Sequence, residues 1–236
     1  MFAVGGCGSA DVEGAPVERK SFAFSGKTLT IDADNSEVEL VPADVKAVEV
    51  ERQVDGWVFL GDGPESSWKM EGETLTFRLE CDAIASNCNA RHSVKVPRGV
   101  AVTVKNDNGS VIASGFDTAL SLRSDNGEVT VRDSSGALEM FSDNGEVTGE
   151  RIAATKVTAN SNNGTVRLGF SVAPAMVDTG SDNGEITIEV PKSTAYNVTT
   201  TTDNGETSVD VGHDPKSAYV IKAHSDNGDV VVRSAN

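Results

Sequence analysis

The amino-acid sequence predicts an all-β protein wound as a β-solenoid, and three observations carry that reading. An Asn-Gly pair recurs seven times from residue 108 onward, apolar residues keep fixed offsets from each pair, and no stretch shows the apolar stripe of a packed helix.

The pairs are Asn108-Gly109, Asn126-Gly127, Asn144-Gly145, Asn163-Gly164, Asn183-Gly184, Asn204-Gly205 and Asn227-Gly228, at spacings of 18, 18, 19, 20, 21 and 23 residues. Counted from each Asn, positions −6, −4, +3 and +5 are mostly apolar, as in Leu120, Leu122, Val129 and Val131, while Ser121, Arg123, Thr130 and Arg132 between them are polar. Alternation of period two gives each copy two short strands with one buried and one wet face. The Asn-Gly pair marks the corner between them, where the two residues that best tolerate positive φ are expected. A degenerate eighth copy lies upstream in LTIDADNSEVEL, with Asn35 flanked by Leu29, Ile31, Val38 and Leu40 and Ser36 in place of the Gly.

An Asn-Gly turn is also a strong hairpin signal, so an antiparallel β meander or sandwich shares the pattern. A meander would leave one open sheet with an uncovered apolar face, whereas coils of 18 to 23 residues bury that face around a common axis. Seven coils stacked about 4.8 Å apart would make a rod roughly 34 Å long. The expected organisation is a leader and flexible tether over residues 1–26, an N-terminal β segment over 27–100 and tandem solenoid repeats over 101–236. Alternating runs such as VEVERQV and TLTFRLE, with Trp57 and Trp68, suit a cap over one end of the stack.

Composition narrows the function. Twenty Lys and Arg against 36 Asp and Glu leave a net charge of −16, which disfavours nucleic acid as a partner. With 38% apolar residues, 5% aromatic and no apolar run long enough to span a bilayer, the chain fits a β-rich extracellular class.

Val4, Gly5 and Gly6 before Cys7 resemble the lipobox of bacterial lipoproteins. The basic and fully apolar regions of a leader do not precede them, so the expectation is a truncated leader with a lipid anchor on Cys7, and the alternative is an incidental thiol. Cys81 and Cys88 sit between two alternating runs, where a hairpin loop belongs, at a spacing unsuited to zinc or redox motifs. A disulfide closing that short loop would contribute about 2.5 kcal/mol and implies an oxidising compartment; two free thiols are the alternative.

The corners are acidic: Asp125 and Glu128, Asp143 and Glu146, Asp182 and Glu185, Asp203 and Glu206, Asp226 and Asp229. In a solenoid these carboxylates form columns that gain from bound cations, calcium being the natural hard ion, although solvated turn acids satisfy the same pattern. No catalytic residue and no resident cofactor is expected. His92, His213 and His224 are scattered, and no nucleophile elbow or metal-binding His pair is present. A carbohydrate-active β-helix enzyme is the alternative from another class, and it would require acids converging in a cleft. The run Thr199 to Thr202 occurs in one copy and reads as a strand.

The SDNGEV-type corners and the run SVKVPRGVAVTVKNDNGSV, echoed by ITIEVPKSTAYNVTTTTDNGETSV, resemble the bacterial family of putative adhesins with β-strand repeats. The resemblance covers residues 27–236. It implies a β-solenoid and a cell-surface or secreted role bound to an envelope or extracellular component, and it brings no catalytic residues.

Overall fold

The computed structural model describes residues 12–235. A short 3₁₀ turn, Val12–Gly14, precedes four strands: β1 (Glu18–Ala23), β2 (Thr28–Ala43), β3 (Ala47–Glu71) and β4 (Thr74–Pro97). Seven pairs of short strands follow. They are β5 (Ala101–Asn108) with β6 (Val111–Ser114), β7 (Leu120–Asn126) with β8 (Val129–Arg132), β9 (Leu138–Ser142) with β10 (Val147–Ile152), and β11 (Lys156–Ser161) with β12 (Val166–Phe170). The series ends with β13 (Met176–Asn183) and β14 (Ile186–Val190), β15 (Asn197–Asn204) and β16 (Thr207–Asp210), and β17 (Val220–Asn227) and β18 (Val230–Ser234). Each pair flanks an Asn-Gly corner, and β2 passes through the degenerate corner at Asn35 and Ser36.

Corresponding strands pair in parallel, in register, and this excludes the meander. One ladder runs β4-β2-β5-β7-β9-β11-β13-β17-β15. The other runs β4-β2-β6-β8-β10-β12-β14-β18-β16. Parallel register sets like on like, so Leu120 meets Leu138 and Val111 meets Val129. The columns between the ladders are almost solvent-free: Leu29, Val102, Leu120, Leu138, Val157, Val177 and Ile221 are all buried. Each such side chain contributes about 1.5–3 kcal/mol by leaving water. A coil cannot bury its apolar face alone, so stability resides in the contacts between coils.

The stacking order departs from chain order at both ends. Near the N-terminus, β2 lies directly on β5 and β6 although the β3-β4 hairpin intervenes in sequence. β4 covers the far edge of β2, β3 pairs antiparallel with β4, and β1 pairs antiparallel with β3. At the other end, the coil of β17 and β18 is threaded between those of β13/β14 and β15/β16. Core composition accounts for this. The late coil turns Ile221, Ala223, Val230 and Val232 inward, all buried, whereas the β15/β16 coil carries Thr200 and Thr207 at the equivalent inward positions. Hydroxyls on the last layer tolerate solvent, as a terminal repeat requires.

Within the N-terminal cap, His92 stacks on Phe77 with ring centroids 3.9 Å apart, and neither ring nitrogen has a hydrogen-bond partner. The guanidinium of Arg52, paired across the strands with His92, lies 4.3 Å from the Trp68 ring and forms an ion pair with Glu18. Burial, reinforced by the Arg52 charge, holds the His92 imidazole down at about 3 against an ordinary 6.5. The unfolded chain therefore binds this proton more readily, and the stability at stake is intact above pH 6.5 and lost as pH falls toward 3. Between pH 7 and pH 4.5 the loss from this group is about 2.5 kcal/mol. His92→Leu, which keeps the packing and removes the proton site, is expected to flatten the fall in denaturation midpoint over that range; an unchanged fall would place the acid sensitivity elsewhere.

Candidate binding surface

The corners are built from three residues acting across coils. Position −2 has the same parity as the apolar positions and points inward: Ser124, Ser142, Ser161, Ser181 and Ser225 are buried. Their hydroxyls donate to the carbonyl of the glycine in the adjoining coil, Ser124 to Gly109 at 2.9 Å, Ser142 to Gly127 at 2.8 Å, Ser161 to Gly145 at 2.8 Å and Ser225 to Gly184 at 2.9 Å. Asn106 fills the same role in the first tandem coil, its amide reaching the Ser36 and Gly109 carbonyls at 2.8 Å each. These inward polar residues were not singled out from the sequence, although their parity and their recurrence before each Asp-Asn-Gly carry the signal.

The glycines serve a purpose other than the one expected. Gly127, Gly145, Gly164, Gly184 and Gly205 have φ outside the left-handed region, and so do all the corner asparagines; only Gly109 and Gly228 among the corner residues have positive φ, at 124° and 152°. Glycine is required by close approach. A Cβ on Gly145 would lie 2.2 Å from the Gly127 carbonyl oxygen, and one on Gly164 would lie 2.1 Å from that of Gly145. Left-handed backbone occurs instead at Gly115 and Asp133, just after β6 and β8, and at Arg151, next to the last residue of β10, and Arg151 donates to the Asp133 carboxylate at 2.7 and 2.6 Å.

The corner asparagines form a ladder along the outside of the stack. Side-chain amides donate from Asn108 to Asn35 at 2.9 Å, Asn126 to Asn108 at 3.0 Å, Asn144 to Asn126 at 3.0 Å and Asn163 to Asn144 at 3.1 Å. The ladder continues from Asn183 to Asn163 at 3.0 Å, Asn227 to Asn183 at 3.1 Å and Asn204 to Asn227 at 3.1 Å, following the threaded order. Its last rung at the N-terminal end is Asn35, whose amide donates to the Leu79 carbonyl at 3.3 Å.

Carboxylates stand in columns on either side of this ladder. Asp125 and Asp143 both accept from Arg123, at 3.0 and 2.7 Å, and Asp143 also accepts from Asn162 at 2.6 Å. Burial pushes the Glu146 carboxyl up, but hydrogen bonds from Arg167 and Thr148 and the Arg167 charge outweigh it and hold the group below its usual range. Glu185 accepts from Thr187 at 3.0 Å, and Asp229 accepts from the Glu206 amide at 2.8 Å. The Asp182 backbone carbonyl accepts from the Asn227 amide at 3.2 Å, and Glu128 and Asp203 are exposed beside their corners. Among the described residues, no three His, Cys, Asp or Glu side chains are grouped to hold a metal ion. His224 lies between Thr201 and Asp226, His213 bridges to Tyr196 in the last long connection, and His92 is in the cap, so the three are dispersed.

Cys81 and Cys88 form a disulfide, with Cα atoms 6.6 Å apart, on the arm of the β3-β4 hairpin beside the first corner. Cys7 lies outside the described residues. No helix among the described residues is long and apolar enough to cross a membrane.

No protein-family model matches the chain, and no curated protein matches it. Solved structures do. The chain is similar in fold to a putative adhesin from Parabacteroides distasonis ATCC 8503, with a TM-score of 0.52 and 11% identity over 94% of this chain and 98% of that one. A putative adhesin from Bacteroides fragilis NCTC 9343 matches at a TM-score of 0.48 and 13% identity, covering 93% and 97%. A putative cell adhesion protein from Clostridium sporogenes ATCC 15579 matches at 0.39 and 10%, covering 94% and 100%. At these identities the Parabacteroides likeness establishes a shared fold.

Proposed function

We propose that the protein is a non-enzymatic binding module of adhesin type, displayed outside the cytoplasm and held to the membrane by a lipid on Cys7. The observation that carries the reading is the continuous outward ladder from Asn35 to Asn204, a rigid polar face that the coils order before any partner arrives. The Cys81–Cys88 disulfide supports an oxidising location, and the fold likeness to the Parabacteroides putative adhesin supports a role at the cell surface. Corner acids arranged in columns, several already engaged by Arg123 and Arg167, favour display over the converging carboxylates of a glycosidase. Surface labelling of intact native cells with a membrane-impermeant reagent is expected to mark the protein, and a metabolic lipid probe is expected to label it but not its Cys7→Ser variant. Protection from the surface reagent would sink the display reading, and equal lipid labelling of both forms would remove the anchor.

The acid columns are proposed to attract calcium only diffusely, because Asp125, Asp143 and Glu146 already have cationic partners. Thermal unfolding with millimolar calcium and with chelator is therefore expected to coincide within about 2 °C. A saturating rise in midpoint would instead make the columns a specific calcium site.

A further inference from the structure

We propose that the groove over the first corner, beneath the disulfide arm, binds a neutral polyhydroxylated ligand, one or two sugar units of a glycan. The inference deepens the surface-binding reading and rests on it. Every later corner is covered on its N-terminal side by the corner of a neighbouring coil. Over Asn35 no further corner follows: β4 pairs with β2 through Ala33 and Phe77, departs into the hairpin arm after Leu79 has met Asp34 and Asn35, and rejoins β2 at Ser36 and Ala90. The opening is a groove of about 630 Å³, lined by residues of this corner, the next corner and the arm. That volume is in the range of small-ligand sites. The Cys81–Cys88 bridge lies in its wall and restrains the arm.

Three features of the lining specify the ligand. First, the glycine that each tandem corner requires is replaced by Ser36 at the one corner left uncovered, and the Ser36 hydroxyl is buried without a hydrogen-bond partner. A buried hydroxyl without a partner, on a residue that lines the groove, has spare donor and acceptor capacity. Second, the charges cancel. Arg91 donates to Glu37 at 2.9 Å, and the remaining polar side chains of the lining are amides and hydroxyls, so the lining carries no net charge within a protein of net charge −16. Third, the side-chain amides of Asn87 and Asn89 make no hydrogen bond to described residues, and they stand with Ser110 at the rim. Planar amides offer a donor and an acceptor together, which suits the adjacent hydroxyls of a sugar ring. A peptide strand would need a free sheet edge or an apolar anchor. Here β2 is flanked on both sides by β4 and by β5 and β6, and the apolar lining comes from Val12, Leu79, Ala90 and the Cys81–Cys88 bridge, with no aromatic side chain among them.

The test uses the full chain and immobilised neutral gluco-, galacto- and manno-oligosaccharides, with uronic-acid oligosaccharides and an unstructured peptide as comparators. At least one neutral series is expected to bind in a saturable manner. Asn87→Ala with Asn89→Ala is expected to weaken it at least tenfold, and Ser36→Gly, which installs the residue carried by the other corners, about threefold to tenfold, with the unfolding midpoint of Ser36→Gly unchanged. If the double variant unfolds early, Ser36→Gly decides alone. Absence of binding to any neutral series, equal binding by the variants, or preference for the uronic acids or the peptide would overturn the proposal. Surface labelling of intact cells is independent of these outcomes, so a displayed protein that ignores neutral sugars sinks this inference and leaves the display reading standing.

Discussion

Gly145→Ala is expected to cost about 3 kcal/mol or more, although it adds one methyl group to an exposed rim of the protein. The added Cβ would meet the Gly127 carbonyl oxygen at 2.2 Å and its carbon at 2.6 Å. Those atoms are backbone, held in a parallel ladder, and have no flexible end to turn aside. Relief requires the coils to separate at the corner. That movement also strains the Ser142 hydrogen bond to the Gly127 carbonyl and the Asn144 to Asn126 rung. Gly169→Ala is the matched control. Gly169 is in a strand between coils, its φ is not left-handed, and the nearest atom to an added Cβ is the Gly149 oxygen at 3.7 Å. Removing its excess backbone freedom is expected to be neutral or to stabilise by about 0.5–1 kcal/mol. Denaturant midpoints of the two variants check this, and equal shifts would refute the steric account of the corner.

The contrast marks where the sequence was legible and where it was not. The period of the Asn-Gly pairs and the parity around them located the strands, their inward faces and the solenoid, because these depend on spacing within one coil: Leu120, Leu122, Val129 and Val131 are all buried as their offsets require. The reason for glycine was misread as a preference for positive φ because the contact that excludes a Cβ comes from another coil, and the distance between coils is absent from a local pattern. The same holds for the corner acids. Asp125, Asp143 and Glu146 are identifiable as an acidic series, but apart from the Arg123–Asp125 pair within β7, the guanidinium partners Arg123 of Asp143 and Arg167 of Glu146 belong to neighbouring coils and meet them only when the coils stack. Ser36 is the useful exception. A substitution that looked like decay of the motif sits at the corner that no coil covers, so the departure from glycine reports the uncovered groove.

A second pair of substitutions with a large expected effect addresses the order of the last two coils. Val209 and Val232 hold the same offset from their corners and face each other in register across β16 and β18. Val232 is completely buried, whereas Val209 is 43% exposed on the final layer. Val232→Asp places a carboxylate between two coils with no counter-charge among the aliphatic neighbours of its column and is expected to cost 4 kcal/mol or more, on the order of a large fraction of a domain's stability. Val209→Asp leaves its carboxylate in water and is expected to cost about 1 kcal/mol or less. The physical origin is the composition of the two coils: Thr200 and Thr207 make the earlier coil a poor interior layer, so the chain places it outermost and returns to fill the gap with Ile221, Val230 and Val232. A stack in chain order would put Val232 on the exposed end and Val209 inside. It would reverse the ranking, so the denaturation midpoints of the two variants distinguish the threaded order from the sequential one.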